Sequence, residues 1–161
     1  MTVLAIDPGP KHSAYVLWGT HGIEAHGKLP NDDLLRILGV SLEFDTVVLE
    51  QVASYGMAVG AEVFETVFWT GRFFEAVTER CMPMRVVRQA VKLHLCHDTR
   101  AKDSNIRQAL IDRFGGKEKA IGRKASPGPL YGIKADCWQA LALAIVFHDQ
   151  QGGSPSSEEG R

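Results

Sequence analysis

Apolar residues in the first third of the chain come in short runs closed by turn residues. Farther along they recur at helical spacing. Val3, Leu4, Ala5 and Ile6 form the first run, and Asp7 followed by Pro8-Gly9 ends it. This predicts a buried strand over residues 2–7. Tyr15 to Trp18 closes a second predicted strand, residues 11–18. Thr20-His21-Gly22 is a tight turn leading to a third, residues 23–29. These three read as an antiparallel meander. Asn31 or Asp32 is placed to cap a short helix carrying Leu34, Leu35, Ile37 and Leu38. "TVVLE", residues 46–50, is the next strand and again ends on an acid.

A loop is expected over residues 53–60. The helix predicted for residues 62–79 has Val63, Val67, Phe74 and Val77 on its inner face, with Thr70 filling a gap. Residues 84–87 form a short strand after Pro83, and residues 88–95 a helix. Asp103 or Ser104 caps a further helix, residues 105–114, which Gly115-Gly116 ends. Residues 117–131 read as a basic, Gly/Pro-bearing loop of low order. Residues 135–148, with "WQALALAIVF", read as a strongly apolar helix. The order of elements predicts an α/β fold: a sheet partly antiparallel and partly parallel, covered by helices. One domain is expected over residues 1–150, followed by a disordered polar tail, residues 151–161.

Charge changes this picture more than composition does. The 161 residues suffice for a single core, and no apolar run is long enough to span a membrane. Three scattered cysteines, Cys81, Cys96 and Cys137, fit reduced thiols in a cytoplasm better than a disulfide framework. The net charge of −1 conceals an asymmetry: between Arg85 and Lys134 there are 12 basic residues against 4 acidic ones. Such a basic half suits nucleic acid, and solvated helix faces are the plainer reading.

Two predicted strands end alike, on Asp7 and Glu50. In α/β sheets ligands collect beyond the carboxyl ends of the strands. If the two strands are parallel neighbours, the carboxylates lie side by side and repel unless a cation intervenes. Hard divalent ions suit an all-oxygen site. Asp136, opening the last helix, is a third acid that packing can carry to the same rim. Each acid also has a plainer role: Asp7 as a turn former, Glu50 as an edge charge, Asp136 as a helix cap. "HLCHD", with His94, Cys96 and His97, invites a zinc reading, but its spacing matches no closed four-ligand set.

"LAIDPGPKHSAY", "VVLEQV" and "DCWQALALA" resemble, in order, three signature blocks of RuvC-type Holliday junction resolvases. "DSNIRQALIDRFGG" resembles the penultimate helix of that family. The resemblance implies a ribonuclease-H-like fold with a mixed five-stranded sheet flanked by helices. It implies Asp7, Glu50 and Asp136 as catalytic, metal-binding acids, with Mg²⁺ or Mn²⁺ as cofactor, two ions expected and Asp7 bridging them. The implied activity is phosphodiester hydrolysis of four-way DNA junctions by a homodimer. One departure stands out: where the family often carries a second metal-binding side chain one turn into the last helix, this chain has neutral Gln139. Asp103 is one candidate to compensate. The short chain and the altered last block lean towards a phage-type member.

Lys102, Arg107, Arg123, Lys124 and Lys134 are the candidate DNA-binding cations, joined by Arg100, Lys117 and Lys119. Lys134 is placed to meet the scissile phosphate, and residues 122–132 to order on DNA. Tyr55 is a candidate wedge at an opened junction. The excess of aromatics at Phe64, Phe68, Trp69, Phe73 and Phe74 suggests a partner-facing surface. Other substrates of the same fold (flaps, forks, RNA–DNA hybrids), a non-catalytic junction binder and a phosphotransferase module are the alternatives.

Overall fold

The structure, a computed structural model, describes residues 1–152. Strands β1 (Val3–Asp7), β2 (His12–Gly19) and β3 (Gly22–Pro30) form the expected antiparallel meander. Helix α1 (Asn31–Val40) leads to β4 (Thr46–Gln51), which pairs parallel to β1. Helix α2 (Ala61–Val77) leads to β5 (Met84–Val87), which pairs parallel to β4. The sheet order is therefore β3-β2-β1-β4-β5, with β1 at the centre.

Period-two burial splits the sheet's side chains into two cores. Leu4, Ile6, Val47 and Leu49 face α1 and α2, meeting Leu34, Leu38, Phe73 and Val77. Val3, Ala5, Ala14, Val16 and Val48 face α6 (Cys137–Gly152). Beyond α6 lie α3 (Arg88–Cys96) and α4 (Asp103–Arg113), contributing Val91, Ile106, Leu110 and Ile111. Sandwiched between sheet and helices, α6 buries every residue from Cys137 to Phe147, which explains its apolar circumference.

Several local expectations are corrected. Neither Asn31 nor Asp32 caps α1. The cap position is Pro30, and Asn31 is buried in the first turn, where its Nδ2 donates to the Gly9 carbonyl (2.9 Å) and its Oδ1 accepts from Ser13 Oγ (2.6 Å). Helix α2 is rotated relative to the expected stripe: it buries Thr66, Thr70, Phe73 and Val77 and leaves Val67 exposed. The threonines turn inward because each hydroxyl donates to a carbonyl one turn back, Thr66 to Glu62 and Thr70 to Thr66, both at 2.8 Å.

Asp103 is not a cap. It is the first residue of α4, and Lys102 holds the cap position, its N–H donating to Asn105 Oδ1 (2.8 Å). Residues 117–131 are not a loose loop either. They form α5 (Lys117–Ala120) and a hairpin of β6 (Gly122–Arg123) and β7 (Ser126–Pro127). The Gly128 N–H donates to the Ile121 carbonyl and the Leu130 N–H to the Ala120 carbonyl, both at 2.8 Å, and Leu130 and Ala120 are core residues. The segment expected to order on DNA is thus already tied to the core. Helix α6 runs on through Gln151 and Gly152, past the expected start of the tail, whose remainder lies outside the described residues.

Candidate active site

Pairing across the sheet determines which side chains share a face. Asp7 pairs with Ala14, which pairs with Lys28, so Lys28, Ala14 and Asp7 form one row. On the other side Ile6 pairs with Leu49, which brings Asp7 and Glu50 to the adjoining ends of two central parallel strands. Asp7 follows Val3 and Ala5 in the alternation, and Glu50 follows Val48, so both carboxylates emerge on the α6 face. Arg88 begins α3 directly after β5, two residues beyond Val86, the partner of Glu50. Asp136 immediately precedes α6, after a left-handed residue at Ala135 (φ 46°), and its backbone carbonyl accepts from the N–H groups of Gln139 and Ala140.

The plainer roles for the acids fall away. The turn after Asp7 is held by Ser13 and Asn31: the Gly9 N–H donates to Ser13 Oγ at 3.1 Å, and the Asp7 carboxylate takes no part. A side chain at Gly9 would overlap the His12 carbonyl, which accounts for the glycine. Glu50 lies on an interior strand, so it protects no sheet edge, and it is only 7% exposed. The Asp136 side chain is engaged by Lys28 Nζ, an ion pair across 108 residues of sequence.

These acids sit in one electrostatic field. Burial pushes the Asp7 carboxyl well above its ordinary value; repulsion from Glu50, Asp136 and Asp103 adds to this, and Arg88 opposes it. Burial likewise raises Glu50, with Asp103 adding and Arg88 and Lys92 opposing. Arg88 spans two acids: Nη1 donates to Glu50 Oε1 at 3.1 Å and Nη2 to Asp103 Oδ1 at 3.0 Å. Among the described residues, Asp7 has no Lys or Arg in ion-pair contact, while Glu50, Asp103 and Asp136 each have one.

Among the described residues, no group of three or more His, Cys, Asp or Glu side chains is arranged to hold one metal ion as it stands. The donor chemistry nevertheless fits a hard divalent cation: four carboxylates, two of them destabilised by burial, and the central one without a counter-charge.

A groove of about 490 Å³ runs beside this cluster, lined by Asp103, Arg107, Lys134, Asp136, Trp138 and Gln139, among others. Two of the expected DNA-binding cations, Arg107 and Lys134, therefore share a groove with two of the acids. Arg107 lies over the Trp138 ring, 5.1 Å from its centroid. Asp136 also borders a second groove with Lys11, His12 and Lys28. Lys102 is exposed at the start of α4. Arg123 lines a separate cleft with Lys117, Glu118, Gly122 and Ser126, and Lys124 is exposed in the same hairpin. Tyr55 is exposed in the loop after β4, in a left-handed conformation (φ 49°). His94 pairs with Asp149 at 2.8 Å, which gives it a structural partner.

Lys28 and Arg88 were not among the sequence candidates. For Arg88 a signal existed, since it follows the end of a parallel strand as Asp7 and Glu50 do. Lys28 becomes visible only once the register across three strands is known.

Neither a protein-family model nor a curated protein sequence matches this chain. Solved structures do. The structure of Thermus thermophilus RuvC is similar over 94% of this chain and 97% of that one, with 17% identity and a TM-score of 0.67. T. thermophilus RuvC in complex with a Holliday junction substrate is similar over 94% and 96%, with 18% identity and a TM-score of 0.65. At this identity the likeness establishes the fold, a RuvC-like α/β architecture of the ribonuclease-H type.

Proposed function

We propose that this protein is a metal-dependent, structure-specific endodeoxyribonuclease that resolves four-way DNA junctions by phosphodiester hydrolysis. The observation that carries this reading is that Asp7 and Glu50, on adjoining central strand ends, share one electrostatic field with Asp136 before α6, beside a groove lined by Arg107 and Lys134. The RuvC-like fold supports it, and one of the similar structures holds a Holliday junction.

Asp7, Glu50 and Asp136 would hold Mg²⁺ or Mn²⁺. Such an ion supplies an activated water and stabilises the leaving oxygen. The chain's own residues do the rest. Lys134 and Arg107 hold backbone phosphates along the groove, Arg107 being steadied by the Trp138 ring. Lys28 orients Asp136, and Arg88 orients Glu50. Lys102, Arg123 and Lys124 extend the positive surface, and Tyr55 stands exposed as a wedge for an opened junction. A homodimer would match the two-fold symmetry of the junction. Three free cysteines favour a reducing cytoplasm, of a bacterium or a phage-infected cell. The Gln139 substitution favours a phage-type member.

Gln139 also favours a second reading, a junction binder that does not cut, because a neutral amide is a poorer ligand for a hard cation. Cleavage of synthetic four-way junctions, forks, flaps, RNA–DNA hybrids and plain duplex, with Mg²⁺, with Mn²⁺ and with chelator, separates the two. The expected result is metal-dependent cutting of four-way junctions, lost in Asp7→Asn while junction binding persists. Binding without cutting under every metal, or unchanged cutting by Asp7→Asn, would overturn the proposal.

A further inference from the structure

Helix α6 is buried on every side from Cys137 to Phe147 and is apolar nearly throughout, yet its third residue, Gln139, carries an amide. We propose that Gln139 contacts the substrate: its side-chain N–H donates to a backbone phosphate of the DNA strand lying in the groove beside the acids. This inference rests on the DNA-binding part of the reading given above and holds whether or not the junction is cut.

Three observations support it. The first is burial without a partner. Gln139 is only 6% exposed, and among the described residues no group hydrogen-bonds to its side-chain amide. No polar side-chain atom there is both sealed from solvent and unpartnered, so the amide opens into the groove that Gln139 lines. A largely buried amide with no partner costs free energy that an apolar residue would not, and an acceptor entering the groove removes that cost.

The second is charge. The groove is lined by two acids, Asp103 and Asp136, and two cations, Arg107 and Lys134. Asp103 pairs with Arg88 and Asp136 with Lys28, both reaching in from outside the groove lining. Among the described residues, Arg107 and Lys134 have no carboxylate in ion-pair contact. The acids are thus met by cations from elsewhere, and the groove's own cations are left for an anion. A phosphate oxygen accepts from an amide N–H as it does from Arg and Lys, and the amide adds a directed bond.

The third is position. Gln139 lies three residues beyond Asp136 and shares the groove with Ser104, in the first turn of α4, where the helix dipole favours an anion. A phosphate that reaches Gln139 is therefore already beside Asp136, and the contact fixes where the strand lies relative to the acids. A glutamate at this position would repel the same phosphate.

The test measures junction binding by the full-length protein in chelator, so that a lost metal ligand cannot account for any change. Fluorescence anisotropy follows a four-way junction that is either unmodified or carries a single methylphosphonate, which lacks the charged oxygen, moved in turn through the positions about the crossover. Gln139→Met, close in volume and without the donor, is expected to bind the unmodified junction about tenfold more weakly, and Gln139→Glu more weakly still. At one methylphosphonate position the wild type should lose at least that factor, and the gap between it and Gln139→Met should close. Equal binding of the unmodified junction by the wild type and a folded Gln139→Met, or a gap that persists at every modified position, would overturn the inference and leave the junction reading standing. A wild type that binds no junction would overturn both. Should Gln139→Met fail to fold, Gln139→Asn, which draws the amide back by one methylene, is read against the same series with the same two outcomes.

Discussion

Asp7 is under opposed demands. The proposed metal-dependent cleavage needs it ionised, and the fold resists that by burying it next to Glu50. Its pKa is raised above the unfolded value, so its contribution to stability is full below the unfolded pKa and is lost as pH rises through the folded one. Asparagine mimics the protonated acid. In chelator at pH 7, Asp7→Asn is therefore expected to melt higher than the wild type, by about 3 °C per kcal/mol relieved. Acidifying from pH 7 should close the gap. A variant that melts lower would show that Asp7 is not an electrostatic burden. The acids could be read from the sequence because a carboxylate closing an apolar run is a local signal. Lys28 could not, because a lone basic residue is usually solvated and only strand register puts it on Asp136; Arg88 left only the weaker signal of its place directly after a predicted parallel strand.

At the level of elements, sequence pattern located the five strands of the main sheet and the five longer helices but missed α5 and the β6–β7 hairpin and misjudged what fixes the ends and faces. Asn31 has the chemistry of a cap and serves instead as a tie between α1 and the turn after Asp7, a pairing made across 22 residues. The basic segment from Lys117 to Tyr131 looked loose because Gly and Pro obscure periodicity. In fact, Gly122 and Gly128 approach backbone so closely that a side chain at either would overlap it. Because that hairpin is held to the core, Arg123 and Lys124 project from a fixed base. Replacing both with alanine is expected to weaken junction binding and flatten its salt dependence by roughly one to two phosphate contacts, read from the slope of log K against log salt. An unchanged slope would exclude the hairpin from the interface.

Another tie joins three helices: Asp149 on α6 accepts from Arg113 on α4 through two 2.6 Å bonds and pairs with His94 on α3. The bonds from Arg113, then His94, hold the Asp149 pKa below its ordinary 3.8. Its stabilisation is present above that value and lost as pH falls through the folded one. Asp149→Asn should cost about 1 kcal/mol at pH 7, and the difference should shrink at pH 3. Equal melting at both pH values would mean the tie contributes nothing.

For the whole molecule, the layered core was implied by the order of elements, whereas the central place of β1 is a matter of pairing order across the sheet, which no local pattern specifies. The surface is less evenly used than the core. Helix α2 packs Phe73 and Val77 against the sheet and turns Phe64 (66% exposed), Phe68 (58%) and Val67 (46%) outward. Beside them a cleft of about 300 Å³ is lined by Val67, Thr70, Gly71 and Phe74. Exposed aromatic surface of this kind is costly to leave in water and suits the second protomer of the proposed dimer. Because Phe64 and Phe68 contribute little to the monomer's own core, Phe64→Glu with Phe68→Glu should leave the melting of a monomer nearly unchanged. It should also convert a dimer to a monomer in light scattering coupled to size exclusion. The candidate acids are on β1, on β4 and just before α6, none of them on α2, so the monomeric variant should still bind metal while losing the paired cuts that resolve a junction. A variant that stays dimeric would move the subunit contact to another face, and one that still makes paired cuts as a monomer would remove the need for a dimer altogether.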